Sequence, residues 1–95
     1  MKHNKNLSEF GSIGDLEPER IAVYLEQTGW YFYAQNLRGD RIYGLDGDLL
    51  PSVLANKDSV IWLALTTELI KKVAKKENRS VEAVVKAIQK TTTEE

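Results

Sequence analysis

Residues 30–45 have the sequence Trp30-Tyr31-Phe32-Tyr33-Ala34-Gln35-Asn36-Leu37-Arg38-Gly39-Asp40-Arg41-Ile42-Tyr43-Gly44-Leu45. Its four consecutive aromatic residues favour a β-strand over residues 30–37, because aromatic side chains pack well on a pleated surface. The turn signal Arg38-Gly39-Asp40 and a second apolar run over residues 41–45 complete the pattern of a β-hairpin. Leu49-Leu50-Pro51 predicts a short third strand that ends at the proline. The sequence therefore predicts a small antiparallel meander.

Helices are predicted on both sides of this meander. Asp15 as an N-cap and Pro18 in the first turn begin a helix that Thr28-Gly29 ends. Ser80 caps a last helix, and its apolar residues recur at helical spacing. They are Val81, Val84, Val85 and Ile88. The predicted fold class is α+β, with an N-terminal helix, a small antiparallel β meander and a C-terminal helical pair.

Residues 59–65 are apolar and compatible with two structures. As a strand, they lead into a helix capped by Thr66 or Thr67; as a helix, they begin a long segment capped by Asp58 or Ser59. Threonine is unfavourable inside a helix and favourable at its start, so we slightly favour the strand. An apolar strand in a small sheet needs cover, and we therefore expect a homodimer or a partner chain to provide it.

Length and composition indicate one small domain. The chain has 95 residues and a formal charge of -1, and 42% of its residues are hydrophobic. We expect a flexible arm over residues 1–15, a single α+β domain over 16–90 and a disordered tail over 91–95. With no cysteine, neither a disulfide nor a thiolate metal site is possible. No secretory signal and no membrane-length apolar segment is present, which predicts a cytoplasmic protein without membrane contact.

Charge divides the chain into two unequal parts. Residues 1–56 carry five Lys and Arg against eight Asp and Glu, whereas residues 57–95 carry eight against six. Five cations fall within nine residues, and together they define what we call the basic surface. They are Lys71, Lys72, Lys75, Lys76 and Arg79. Such a cluster is typical of a surface for phosphates or an acidic protein, and it is also typical of an ordinary solvated helix face.

The segment from about residue 60 to residue 88 resembles the ribbon-helix-helix family of DNA-binding regulators. Ser80 is followed by Val84-Val85 and Ile88, and Ala74 precedes it by six residues, as in that family. The resemblance implies a dimer whose paired strands enter the major groove, with a phosphate at the start of the second helix. It would make Arg79, Ser80 and Val81 phosphate-contacting positions. The apolar strand offers none of the side chains that read bases, however.

The aromatic strand suggests a second kind of surface. Trp30 and Phe32 are expected to cover the core, while Tyr31 and Tyr33 lie on the other face. With four further side chains they form a candidate partner-binding set that would bind another protein, or stack on nucleic-acid bases. The additional members are Arg38, Arg41, Tyr43 and Trp62.

Catalysis finds little support. The single histidine, His3, falls in the predicted arm, and no glycine-rich phosphate loop is present. Asp40, Asp46 and Glu26 leave only a carboxylate mechanism open. We therefore predict a small regulatory protein that is not an enzyme and uses no metal or cofactor. It would bind DNA or RNA through its basic C-terminal helices or, alternatively, act as an inhibitor or antitoxin-like module on a partner protein through its aromatic strand.

Overall fold

The computed structural model describes residues 13–91. Most of the predicted arm, residues 1–12, and most of the predicted tail, residues 92–95, lie outside the described residues. Ile13 is fully buried, and the carbonyl of Gly14 accepts a hydrogen bond of 3.2 Å from Trp62 Nε1. Thr91 is also buried, and its hydroxyl donates to the carbonyl of Ala87 at 2.9 Å. The packed part of the chain therefore extends beyond both predicted limits of 16 and 90.

The helix α1 spans Pro18–Gln27. Proline opens it, as predicted, because the first helical position needs no intrahelical N–H. The N-cap is Glu17, without a side-chain cap, so the prediction of Asp15 was wrong. Thr28 is the C-cap, and Gly29 follows with a φ of 103°, in the region that glycine adopts without strain.

The sheet has three antiparallel strands in the order β1-β2-β3. They are β1 (Tyr31–Gln35), β2 (Arg41–Leu45) and β3 (Asp48–Leu49). The meander is thus confirmed, and β2 lies at its centre. The chain continues past β3 to Val53, which forms an isolated antiparallel bridge with Arg41. Arg41 also pairs with Gln35 of β1. Val53 and β1 therefore lie on opposite sides of β2.

Residues 59–65 are not a strand. Residues 57–61 are turn and bend, and the helix α2 spans Trp62–Glu77. The two internal threonines do not end it, because Thr66 is buried on the face that the helix packs inward. Tertiary packing overrides the low helix propensity of threonine here. The helix ends at Asn78, which adopts the left-handed conformation with a φ of 59°.

The last helix, α3, spans Val81–Lys90. Ser80 is its N-cap, as predicted, and its hydroxyl accepts a hydrogen bond of 3.0 Å from the Ala83 N–H. Val84, Val85 and Ile88 are buried, and α3 packs against both α1 and α2. Apolar residues from the three helices, the sheet and the segment around Val53 form one continuous core.

Across residues 13–91, every helix is too short or too polar to cross a lipid bilayer.

Candidate interaction surfaces

The outer edge of β1 is open in the part of the chain that the structure describes. Among these residues β2 is the strand that pairs with β1, which leaves the backbone groups on the opposite side of β1 without a ladder partner. Tyr31, Phe32 and Tyr33 expose 48%, 50% and 57% of their surface. Folded proteins usually protect such an edge with a charge, a proline, a β-bulge or a very short strand. The sequence YFYAQ contains no charged residue and no proline.

A β-bulge explains why three successive aromatic side chains are half exposed. Phe32 pairs with Tyr43, but the register shifts before Ala34 pairs with Ile42, so Tyr33 is the extra residue. A bulge interrupts the alternation of side chains between the two faces of a sheet. The sequence prediction that Phe32 covers the core and the two tyrosines face away is therefore only partly right. Trp30, by contrast, is buried as predicted.

Gly44 shapes the surface beside this edge. A Cβ atom at Gly44 would lie 2.9 Å from Leu49 Cδ2 and 3.0 Å from the hydroxyl oxygen of Tyr31. The absence of a side chain on the central strand therefore lets the ring of Tyr31 and the side chain of Leu49 approach each other across β2. Leu49 is itself 41% exposed. Together Tyr31 and Leu49 form an apolar step next to the open edge, and we call these two residues with Phe32 and Tyr33 the aromatic edge.

Tyr43 does not belong to this surface, although the sequence places it there. Its ring is fully buried because β2 is the central strand, and Phe32 packs edge-on against it with 6.0 Å between ring centroids. Its hydroxyl donates to Glu26 Oε2 at 3.0 Å, and burial raises the pKa of Tyr43. Tyr43 is a core residue with a satisfied hydroxyl, so its prediction as a contact residue was wrong.

Trp62 is likewise a core residue. Only 3% of its surface is exposed, because α2 turns this residue inward against the segment that precedes α1. Its prediction as a partner-binding residue was wrong, because Trp62 lies on the inward face of a helix and not in a strand. The predicted set also contains two arginines. Arg41 Nη2 lies 3.8 Å from Glu19 Oε1, and the Arg38 side chain is more exposed than that of Arg41.

The basic surface is mostly engaged within the molecule. Lys76 Nζ lies 2.9 Å from Asp48 Oδ2, and Lys72 Nζ donates to the carbonyl of Leu49 at 3.1 Å. These contacts tie α2 to β3. Lys71 lies 3.7 Å from Glu68 in an exposed pair. Lys75 is exposed and forms neither an ion pair nor a hydrogen bond with the residues described.

Arg79 and Ser80 join the three helices. Arg79 Nε lies 3.3 Å from Glu77 Oε1, which also accepts a hydrogen bond of 2.7 Å from the Tyr24 hydroxyl. Burial, and then this hydrogen bond, raise the pKa of Tyr24 to about 12. Arg79 Nη2 also donates to the carbonyl of Ala83 at 3.2 Å. Since Ser80 caps α3, Arg79 and Ser80, two of the three residues that the resemblance makes phosphate contacts, already have structural partners.

Two of the three carboxylates considered for catalysis, Asp40 and Glu26, have structural partners. Asp40 accepts hydrogen bonds from the Ala55 N–H, Asn36 Nδ2 and Arg38 Nε at 2.9, 3.0 and 3.2 Å. These bonds, above all the one from Ala55, lower the pKa of Asp40. Glu26 accepts from Tyr43. Within residues 13–91, no group of three or more His, Cys, Asp or Glu side chains is arranged to hold a metal ion.

Sequence reasoning missed several exposed apolar residues. Phe32 and Leu49 were assigned to no binding surface, and yet both lie at the aromatic edge. Val60 is 99% exposed, and Ile61 and Leu63 are about half exposed at the start of α2. The helical spacing could have identified them. Trp62, Thr66, Leu69 and Val73 lie on one face of α2, and the exposed apolar residues lie outside that face. Because residues 59–65 were interpreted as a strand, this spacing was not used.

No family model, no curated protein and no solved structure matches this chain. The ribbon-helix-helix resemblance therefore stays a prediction. The successive helices that it implies are present as α2 and α3, whereas residues 59–65 do not form the preceding strand.

Proposed function

We propose that this chain is a non-enzymatic protein-binding module that adds an extended segment of a partner protein to the open edge of β1. The observation that carries the proposal is an uncharged five-residue edge strand with three half-exposed aromatic side chains. Extended segments bind such edges through main-chain hydrogen bonds, and side-chain pockets supply the specificity.

The chemistry of the aromatic edge defines the partner segment. Its backbone must be extended, because the donors and acceptors of β1 follow strand geometry. Its side chains should be apolar or aromatic, since the four side chains of the aromatic edge are themselves uncharged. Tyrosine is well suited to this role, because it contributes a large apolar ring at a low entropic cost and keeps its hydroxyl in water.

Hydrogen exchange and affinity capture test this proposal together. The double variant Phe32→Lys/Tyr33→Lys places charges on the strand, which is how natural edge strands are protected. The matched control is Lys71→Glu/Lys75→Glu, which alters two exposed cations of the basic surface. We expect the wild type and the control to capture the same partner from nuclease-treated lysate, and the edge variant to lose it. Amides in residues 31–35 should exchange more slowly in the complex.

Two results would contradict the proposal. The first is a partner that the edge variant retains and the lysine variant loses. The second is a complex in which the amides of β1 exchange as fast as in the free protein. Either result would place the contact elsewhere on the molecule.

A second copy of the chain is the alternative occupant of this edge. Antiparallel pairing of two β1 strands would give the homodimer that the sequence predicts, with no like charges brought together. Sedimentation equilibrium distinguishes the two occupants, because self-association depends on the concentration of this chain alone. In that case the Phe32→Lys/Tyr33→Lys variant would be monomeric at concentrations where the wild type is dimeric.

Nucleic-acid binding by the basic surface is the second candidate function. The observation that favours it is the exposed pair Lys71 and Lys75, one helical turn apart on α2, which reach solvent without the structural contacts of Lys72 and Lys76. A salt titration with duplex DNA tests this function. Affinity should fall steeply with salt if phosphates are bound. A Kd weaker than about 100 μM at low salt, or one that ignores salt, would exclude it.

A further inference from the structure

A cavity of about 410 Å³ lies between the turn at residues 36–40 and the loop at residues 54–61. Ligand-binding cavities in proteins commonly have volumes of about 300–1,000 Å³. The loop continues from Val53, which bridges to Arg41 on the side of β2 away from β1. This cavity is therefore separate from the aromatic edge, and a ligand there would be independent of the proposed partner segment.

Asp40 holds the two loops that form the cavity in a fixed position. Its buried carboxylate joins the two loops, because Oδ1 accepts from the Ala55 N–H while Oδ2 accepts from Asn36 and Arg38. Asp40 also donates its own N–H to Asn36 Oδ1 at 3.0 Å. A carboxylate held by three hydrogen bonds fixes both walls of the cavity.

Three side chains of the cavity have hydrogen-bond donors that no residue among 13–91 uses. Arg38 uses Nε for Asp40, and its two Nη atoms have no partner among residues 13–91, with 80% of the side chain exposed. Asn56 Oδ1 accepts from the Asp58 N–H at 2.9 Å, and Ser59 Oγ accepts from the Ile61 N–H at 3.3 Å. The Asn56 amide nitrogen and the Ser59 hydroxyl hydrogen are left to donate.

The other walls of the cavity are apolar. Leu54, Ala55 and Ile61 line it, and Ile61 is 49% exposed. A ligand that satisfies this lining needs an anionic acceptor at one end and an apolar body at the other. The guanidinium Nη fork binds carboxylates with two parallel hydrogen bonds, and the apolar walls gain from covering an aliphatic group.

We propose that this cavity binds a carboxylate attached to a short aliphatic group. The carboxylate accepts from Arg38, Asn56 and Ser59, and the aliphatic group lies against Leu54, Ala55 and Ile61. Two sources share this chemistry: a free short-chain carboxylic acid, and the C-terminus of a peptide that ends in an aliphatic residue.

Titrations followed by ¹H–¹⁵N NMR test the site. The probes are hexanoate and acetyl-Ala-Leu with a free carboxylate, and the matched neutral ligands are hexanamide and the amidated peptide. We expect saturable shifts at Arg38 Nε–H, the Asn56 side-chain amide and the backbone amides of residues 54–61. Saturation by hexanoate alone assigns the small acid, and saturation by the peptide alone assigns the peptide terminus. Equal binding of the neutral ligands, or no saturation up to about 20 mM of either carboxylate, would overturn the proposal.

Two variants locate the contact. Arg38→Gln should raise the Kd about tenfold or more, because it removes the fork while changing an exposed side chain. Lys86→Gln removes the same charge from an exposed position on α3 and should leave the Kd within about twofold. Ile61→Ser should weaken binding without altering the charge. Equal affinities of the wild type, Arg38→Gln and Ile61→Ser would place the ligand elsewhere and overturn the assignment.

The aromatic-edge variant Phe32→Lys/Tyr33→Lys should bind the carboxylate normally. A failure of carboxylate binding and a failure of the proposed partner binding therefore give different results.

Discussion

The aromatic edge and the basic surface differ in what their side chains already bind within the chain. On the basic surface, Lys72 and Lys76 hold α2 to β3, and Arg79 holds Glu77 and the first turn of α3. At the aromatic edge, the backbone groups on the outer side of β1 have no ladder partner in residues 13–91, and the three aromatic side chains are about half exposed. The basic surface is the easier of the two to recognise in the sequence, because its charges are clustered, yet the aromatic edge is more available for binding. Availability therefore depends on tertiary contacts that composition does not reveal.

Buried and exposed aromatic residues should differ most in what they contribute to the free energy of unfolding. Trp62→Ala should lower the free energy of unfolding by about 3–5 kcal/mol, because it leaves a cavity in the core and removes the hydrogen bond to Gly14. Tyr33→Ala should change it by less than about 0.5 kcal/mol, since its ring is more than half exposed. Urea unfolding of both variants measures the difference. Equal losses would mean that Trp62 is not part of the core.

A smaller effect is expected at Asp40, whose hydrogen bonds connect two loops. Asp40→Asn should cost about 1–3 kcal/mol at pH 7, because an amide nitrogen would face the donors of Asn36 or Arg38. The pKa of Asp40 is lowered, so its contribution is present above the ordinary aspartate pKa and is lost as pH falls through the folded value. Urea unfolding should therefore show a smaller loss of stability between pH 7 and pH 3 in the variant.

Asp46→Asn is the matched control for this prediction. Asp46 is exposed and has a φ of 53°, a conformation that asparagine tolerates. It should keep the stability and the acid dependence of the wild type. An unchanged pH dependence in Asp40→Asn would show that other carboxylates account for the acid sensitivity.

The sequence predicted local elements more successfully than surfaces, and particular residues show why. Ser80 and Arg41–Leu45 were placed correctly, because a helix cap and a strand between turn signals are local patterns. Residues 59–65 were not, because a short apolar run has no unique period. Tyr43 and Trp62 were placed on the surface because residue type does not show which strand is central or which helix face is inward. The partners of Lys72 and Lys76 are more than twenty residues away in sequence.

A more selective change concerns the apolar step beside the open edge. Gly44→Ala should move the Tyr31 ring, because the added Cβ would lie 3.0 Å from its hydroxyl oxygen. The cost in stability should be about 1 kcal/mol, the low end for overpacking, since Tyr31 and Leu49 are half exposed and can shift outward. Partner binding should weaken, and the Tyr31 ring resonances should change.

Gly14→Ala is the control for this prediction, because its Cβ would make an ordinary contact of 3.9 Å with Leu63. Unchanged Tyr31 resonances in Gly44→Ala would contradict the packing described.

Asp48 should contribute least to stability, but it tests directly whether contacts within the molecule limit the basic surface. The hydrogen bond from Lys76 Nζ lowers the pKa of Asp48, so the pair forms above the ordinary aspartate pKa and is lost as pH falls. Asp48→Asn should leave the Tm almost unchanged, because exposed ion pairs contribute little. It should also release Lys76 from an anionic partner. If the basic surface binds phosphate, DNA affinity should rise and the salt dependence should steepen by about one counterion. Asp58→Asn makes the same change of charge far from the pair and controls for net charge. Equal effects of the two variants would show that the contacts within the molecule do not limit the basic surface, and the contrast between the two regions would then disappear.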